Sequence, residues 1–164
     1  MYLCHQIGFL MEKDMSFNPQ PIGVGYFGNV YDQFKGKVKE AFDFLIAHQS
    51  GDLLGVFYRD ELGEIDLVWG DEGGGLKHIL DKHVGESRSF ANTEVAIEEI
   101  AHIIVSGDKV FENVDKAVFQ IGDKLVTLRR NYRKDGKKIA DKNWVLTAYD
   151  EKAADGGSAI TASN

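Results

Sequence analysis

Apolar positions first fall into register between Phe34 and Gln49. Phe34, Val38, Ala41, Phe42 and Leu45 recur at helical spacing, with Lys35, Lys39 and Asp43 off that stripe. This predicts an amphipathic helix, stopped by Ser50-Gly51. An apolar, aromatic-rich strand is expected from Leu53 to Tyr58, with a hairpin connection over Asp60 to Gly63. A second strand, Glu64 to Trp69, alternates Ile65, Leu67 and Trp69 against Glu64, Asp66 and Val68. Gly70 to Gly75 holds four glycines and two acids and reads as a loop. Helical spacing returns from Leu76 to His83 and again from Glu94 to Ser106. The longer of these has Asn92 or Thr93 as N-cap, Gly107 as stop, and Ile97, Ile100, Ala101 and Ile104 as its buried stripe.

The last third changes character. Lys109 to Glu112, Ala117 to Ile121, Lys124 to Arg133 and Trp144 to Tyr149 are candidate antiparallel strands, with turns at Gly122-Asp123 and Asp135-Gly136. Helices followed by a run of strands give an α+β class, with helices on one face of an antiparallel sheet. Residues 1–25 have no clear period and carry Asn18-Pro19-Gln20-Pro21, which reads as an extension or linker, the junction to a larger polypeptide. Residues 26–150 form the domain, and 151–164 a flexible tail of Ala, Gly, Ser and Thr. No apolar run approaches the roughly 18 residues of a membrane span, and Met1 to Gly8 makes a poor signal peptide. No membrane partner is therefore expected.

Charge alters the picture more than composition does. The chain of 164 residues is 43% hydrophobic and 27% charged, as a soluble globular domain should be, and its net charge is -7. That sign opposes a nucleic-acid partner. Between Lys124 and Lys142, however, eight basic residues face two acids, a local charge of +6 that leaves -13 on the remainder. A basic segment can bind a polyanion locally, because screening limits the distant acids to about 8–10 Å. The plainer alternative is a solvated basic hairpin. Cys4 is the single cysteine, so there is no intrachain disulfide and no Cys-built zinc site.

Of the five histidines, His5 lies in the extension, His48 suits a helix C-terminus and His102 sits beside a buried stripe. His78 and His83 share Gly75-Leu-Lys-His-Ile-Leu-Asp-Lys-His83. Five residues turn a helix by roughly 500°, which sets the rings about 140° apart and argues against both facing one small site. Leu76, Ile79 and Leu80 continue to His83 at i, i+3, i+4, i+7, so His83 should face the sheet and His78 should point sideways. A helix C-terminal cap is the structural alternative for His83. No EF-hand, Walker loop or nucleophile elbow is present, and no metal or other cofactor is expected. Arg129 and Arg130 should face opposite sides of their strand. In the last strand Val145, Thr147 and Tyr149 should share one face, and Trp144, Leu146 and Ala148 the other. Histidine, arginine and hydroxyl groups on one sheet surface suit metal-free phosphodiester cleavage. A base takes the ribose 2′-hydroxyl proton, an acid protonates the leaving oxygen, and a guanidinium holds the phosphorane charge.

Gly63-Glu-Ile-Asp-Leu-Val-Trp-Gly70, the segment from Gly75 to His83, and Asn143-Trp-Val-Leu-Thr-Ala-Tyr-Asp150 resemble the phage-associated branch of the barnase–EndoU–colicin–RelE superfamily. The resemblance covers about Tyr26 to Asp150. It implies helices packed on a roughly four-stranded antiparallel sheet, and metal-independent endoribonuclease toxins borne on phage or mobile-element polypeptides. It also implies RNA, with tRNA a candidate by analogy, as substrate, a cognate immunity or antitoxin protein as partner, and the cytoplasm as site of action. Matched by position, His78 and His83 are the helix histidines, Arg129 or Arg130 the late-strand basic residue and Thr147 the hydroxyl. His83 is expected as the principal acid or base, with His78 or Lys77 assisting. Lys77, Lys124, Tyr132, Lys142 and Tyr149 complete the substrate-binding set. Rival readings are a catalytically inactive RNA- or protein-binding module, and a toxin-neutralising or structural partner.

Overall fold

The computed structural model describes residues 17–153 and 155. Its elements run in the order β1 (Gly23–Gly25), β2 (Gly28–Tyr31), α1 (Val38–His48), β3 (Asp52–Arg59), β4 (Gly63–Val68) and α2 (Leu76–His83). Then follow α3 (Thr93–Ser106), β5 (Asp108–Glu112), β6 (Lys116–Ile121), β7 (Lys124–Lys134) and β8 (Lys137–Asp150). The expected α+β class is present, and α2 has the expected bounds. Asn92 caps α3, its side chain accepting from the Val95 N–H at 2.9 Å. Among the described residues no helix is long and apolar enough to cross a membrane. Cys4 and His5 lie outside the described residues.

The sheet differs from the roughly four antiparallel strands expected. It has eight strands in the order β1-β2-β3-β4-β8-β7-β6-β5, and it is mixed. The β2–β3 and β4–β8 pairs are parallel, the rest antiparallel. The four extra strands are the short pair β1 and β2 and the hairpin β3 and β4, which join the late strands through β4 and β8. Local periodicity identifies a strand but carries no record of such a long-range partner. The short pair β1–β2 straddles the boundary expected between residues 25 and 26.

One face of the sheet holds the main core. Ala41, Phe42 and Leu45 of α1 and Ile97, Ile100 and Ile104 of α3 pack in one cluster with Leu53, Ile65, Phe119, Val126, Leu128, Val145 and Ala148. β4 and β8 share a single paired position, Asp66 with Trp144. Near it the Gly75 N–H bonds to the Leu146 carbonyl at 2.8 Å, and α2 begins there. Leu76 and Ile79 enter the main core, with Leu80 half-buried against it. The opposite sheet face carries a smaller cluster of Val118, Leu125 and Tyr149, with Phe111 beside it.

A bulge sets what that second face presents. Thr127 pairs with Thr147 but Leu128 pairs with Val145, so Leu146 is an extra residue on β8. The expected alternation therefore breaks. Val145 and Ala148 both go to the main core, while Thr147 and Tyr149 take the other side with Leu146 and Trp144. A two-residue period read from sequence gives no warning of an inserted residue.

Candidate active site

His83 ends α2 at the inward position its spacing implies, and only 7% of it is exposed. Its Nδ1 lies 3.1 Å from Oδ2 of Asp155. A carboxylate accepts, so Nδ1 carries the proton and Nε2 keeps its lone pair. Asp155 is itself held by the Ser89 N–H at 3.1 Å and the Ser89 hydroxyl at 3.0 Å. The Asp150 N–H donates to that hydroxyl at 2.8 Å, which ties the group to the end of β8. Burial pushes the His83 pKa below its ordinary value, and the Asp155 hydrogen bond opposes the shift without cancelling it.

His78 is anchored differently. Its Nδ1 is 2.8 Å from the Glu72 carbonyl, again an acceptor, so its Nε2 is likewise the open nitrogen. Glu72 lies in the glycine loop, which folds back tightly on itself. A Cβ at Gly75, where φ is +99°, would fall 2.7 Å from the Trp69 carbonyl, and one at Gly74 would fall 2.5 Å from Leu146. The two imidazoles meet edge to face with centroids 5.3 Å apart. This corrects the expectation drawn from helical rotation. The 140° describes where the Cα–Cβ bonds start, but five residues rise only about 7.5 Å and the rings close that gap.

His83 meets the second sheet face at Tyr149. The Tyr149 ring is 5.9 Å from His83, and Leu125 pairs with Tyr149, as Thr127 does with Thr147. Thr147 is 8% exposed, and its Oγ1 has no hydrogen-bond partner among the described residues. Two residues beyond Thr127, Arg129 occupies the same face and pairs with Lys116 of β6. Among the described residues neither Arg129 nor Lys116 forms an ion pair. Two cations set directly opposite each other repel. Burial first, and Arg129 second, lower the Lys116 pKa.

The other expected site residues are engaged elsewhere. Arg130 faces away from Arg129, 3.3 Å from both Glu112 and the Asn113 carbonyl. Lys77 is paired with Asp81 at 2.5 Å. Lys124 is paired with Glu99 of α3, with its ammonium over the Phe90 ring. Lys142 sits between Asp52, at 3.0 Å, and Asp66. In each case a nearby carboxylate takes the charge that the sequence leaves unassigned. Tyr132 lines a cleft of about 430 Å³ beside Arg129, together with Asn131, Arg133 and Trp144. Asp115 accepts from Asn131 at 2.6 Å, which with Arg133 keeps its pKa below the ordinary carboxylate range.

Sequence reasoning missed Asp155, Lys116, Tyr26 and Phe27. Asp155 is the one acid after Glu151, a faint signal within a tail expected to be flexible. Lys116 precedes Val118 and Gln120 at two-residue spacing, so its face was readable, but its pairing with Arg129 was not. Tyr26 and Phe27 lie in a stretch without period. Among the described residues no three His, Cys, Asp or Glu side chains are grouped to hold a metal ion.

Residues 56–155 match a protein family described as phage-Barnase-EndoU-ColicinE5/D-RelE like nuclease 1. The matched span contains both histidines, Lys116, Arg129, Thr147, Tyr149 and Asp155, and leaves out Tyr26 and Phe27. No curated protein and no solved structure matches the chain.

Proposed function

Because the chain belongs to the phage-Barnase-EndoU-ColicinE5/D-RelE like nuclease 1 family, we propose that it cleaves RNA without a metal ion, by attack of the ribose 2′-hydroxyl on the adjacent phosphorus. The observation that carries this reading is the Arg129–Lys116 couple, without an ion pair among the described residues, on the sheet face that also bears Tyr149, against whose ring the Asp155-bound His83 lies. His83 Nε2 takes the 2′-hydroxyl proton, with Asp155 holding the ring in the required tautomer. The 2′-oxygen bonds to phosphorus, and the bond to the 5′-oxygen breaks. His78, protonated at Nε2, gives its proton to that leaving oxygen. The products are a 2′,3′-cyclic phosphate and a free 5′-hydroxyl. Arg129 and Lys116 hold phosphate, where developing negative charge is stabilised by fixed cations in a partly desolvated site. Thr147 orients the substrate, whereas Tyr149, expected from the sequence to bind it, is buried and instead backs the His83 ring. We extend the reading, by family analogy, to tRNA as substrate, to a toxin role in the cytoplasm, and to a cognate immunity or antitoxin protein as partner.

The test is incubation with total tRNA in EDTA, with mapping of the ends. Cyclic phosphate ends are expected, and a 2′-deoxyribose at the cut position should abolish cleavage because the nucleophile is gone. His83→Ala should lower the rate by on the order of 10²–10⁴, and His78→Ala by less. Equal cleavage of the deoxy substrate would sink the reaction class. The deep burial of His83, whose side chain is 9% exposed, favours one rival, a catalytically inactive RNA-binding module. RNA that binds but stays uncut would select it.

A further inference from the structure

The N-terminal hairpin places two aromatic rings where the family match does not reach. Phe27 lies against Trp144 of β8 at 5.1 Å between ring centroids, and against Tyr132 of β7 at 5.7 Å. Tyr26 contacts Tyr132 at 5.2 Å and is still 63% exposed. These rings form one wall of the 430 Å³ cleft, and Arg129 and Arg133 line the same space together with the carboxylates of Asp71 and Asp135, so a phosphate is favoured only at the arginine side. Arg133 is paired with Asp115, which leaves Arg129 as the cation available to a ligand.

An aromatic wall beside an uncommitted guanidinium is a combination with a chemical meaning. A nucleobase offers a flat π-face that stacks on tyrosine whatever its identity, and its phosphate suits the bidentate fork of arginine. An apolar peptide would meet only one wall suited to it. A simple anion would need the arginine but no rings. From this we infer that the cleft between the β1–β2 hairpin and the β7–β8 hairpin binds one nucleotide, its base stacked on Tyr26 and Tyr132 and its phosphate on Arg129. The inference rests on the proposed cleavage of RNA, and it adds a base-holding subsite next to the phosphate position. Of the residues in this subsite Tyr26 and Phe27 lie outside residues 56–155, and Arg129, Tyr132 and Trp144 lie within them.

The probe is adenosine 5′-monophosphate, with ribose 5-phosphate as the control that keeps the charge and removes the base. Trp144 lines the cleft, so binding is read by tryptophan fluorescence and confirmed by calorimetry on the full chain. Adenosine 5′-monophosphate should bind more tightly than ribose 5-phosphate. Tyr26→Ala should weaken it on the order of 10-fold, as loss of one stacking partner does, while Tyr26→Phe should bind as the unaltered protein does. Tyr26 is exposed, so these changes leave the core untouched, and a circular dichroism melt verifies it. Equal binding of the two ligands, no binding of the nucleotide, or a silent Tyr26→Ala would each overturn the subsite and leave the rings as a clamp for the hairpin only. Nucleotide binding with these selectivities but no cleavage of RNA would overturn the cleavage reading and leave the subsite standing. Cleavage without base-dependent binding would do the reverse.

Discussion

Lys142 and Arg129 belong to the same basic hairpin, and the molecule uses them in opposite ways. Lys142 lies where β8 meets β3 and β4, its ammonium held by Asp52 and Asp66, with all three side chains nearly buried. Asp66 also accepts from the Gly55 N–H at 2.7 Å, so the cluster is bonded into the backbone of β3. Arg129, with Lys116 beside it on the opposite face, makes no ion pair among the described residues, and only the charge of nearby Asp115 partly offsets the two cations. A cation whose charge is met inside the fold stabilises the fold and is unavailable to a ligand. A pair of cations left facing each other is a cost that an incoming anion removes. The distinction separates basic residues ion-paired inside the fold from those without an ion pair within one segment of +6, which charge counting cannot do.

The strongest way to break this contrast is to remove Lys142. Lys142→Met should destabilise the protein by about 3–5 kcal/mol, the usual cost of leaving a buried charge unpaired. Urea unfolding at pH 7 measures it. Burial already raises the Asp52 pKa above its ordinary value, against the pull of Lys142. Between the unfolded value near 3.8 and that raised value the native chain holds the extra proton, so stability rises as pH falls through the window. Without Lys142 the Asp52 pKa climbs further and the window widens upward. Part of the lost stability should therefore return on acidification. A variant as stable as the unaltered protein at pH 7 would erase the structural half of the contrast.

Arg129→Ala and Lys116→Ala should show the opposite pattern. Neither side chain has an ion pair to lose, so unfolding should change by no more than about 0.5 kcal/mol. RNA affinity should fall, and the slope of log affinity against log salt should shrink by about one for each phosphate contact removed. Arg129→Lys should recover only part of the affinity, because an ammonium lacks the bidentate fork. Changing Arg130, already paired with Glu112, should leave the salt slope as it was. If Arg130 matters and Arg129 does not, the assignment of faces is wrong.

What the sequence made legible follows the range of the interactions. α2 could be bounded from Leu76 to His83 because its stripe and the glycines before it are local. The inward facing of His83 followed from the same stripe. The single glycine loop and the N-cap at Asn92 were local as well. What escaped were partners distant along the chain: β4 beside β8, Lys142 between Asp52 and Asp66, and Lys116 opposite Arg129. The bulge at Leu146 escaped for another reason, since one inserted residue changes the phase of a strand without changing its composition. Asp155 escaped because a tail of small residues gives no period, although Ser89 and His83 together make a specific receptor for one carboxylate.

That receptor supports the smallest and most selective prediction. Asp155→Asn keeps an oxygen that can accept from the His83 Nδ1–H and the Ser89 N–H, but it removes the charge. The Asp155 charge and hydrogen bond raise the His83 pKa against the larger lowering by burial, so the variant's pKa should fall further below the ordinary histidine value. The acidic limb of the rate–pH profile, which reports deprotonation of the base, should then move to lower pH. The rate at the optimum should fall by less than in His83→Ala, because the ring is still held. Stability provides an independent reading. With a depressed native pKa, the unfolded chain binds the extra proton below about 6.5, so the contribution is whole above that value and is lost as pH falls through the window. Removing the Asp155 charge extends the window downward, and the urea midpoint should keep falling at pH values where the unaltered protein has levelled off. An unmoved profile together with an unmoved midpoint would make Asp155 a packing contact, and His83 would then be a buried histidine without an orienting carboxylate.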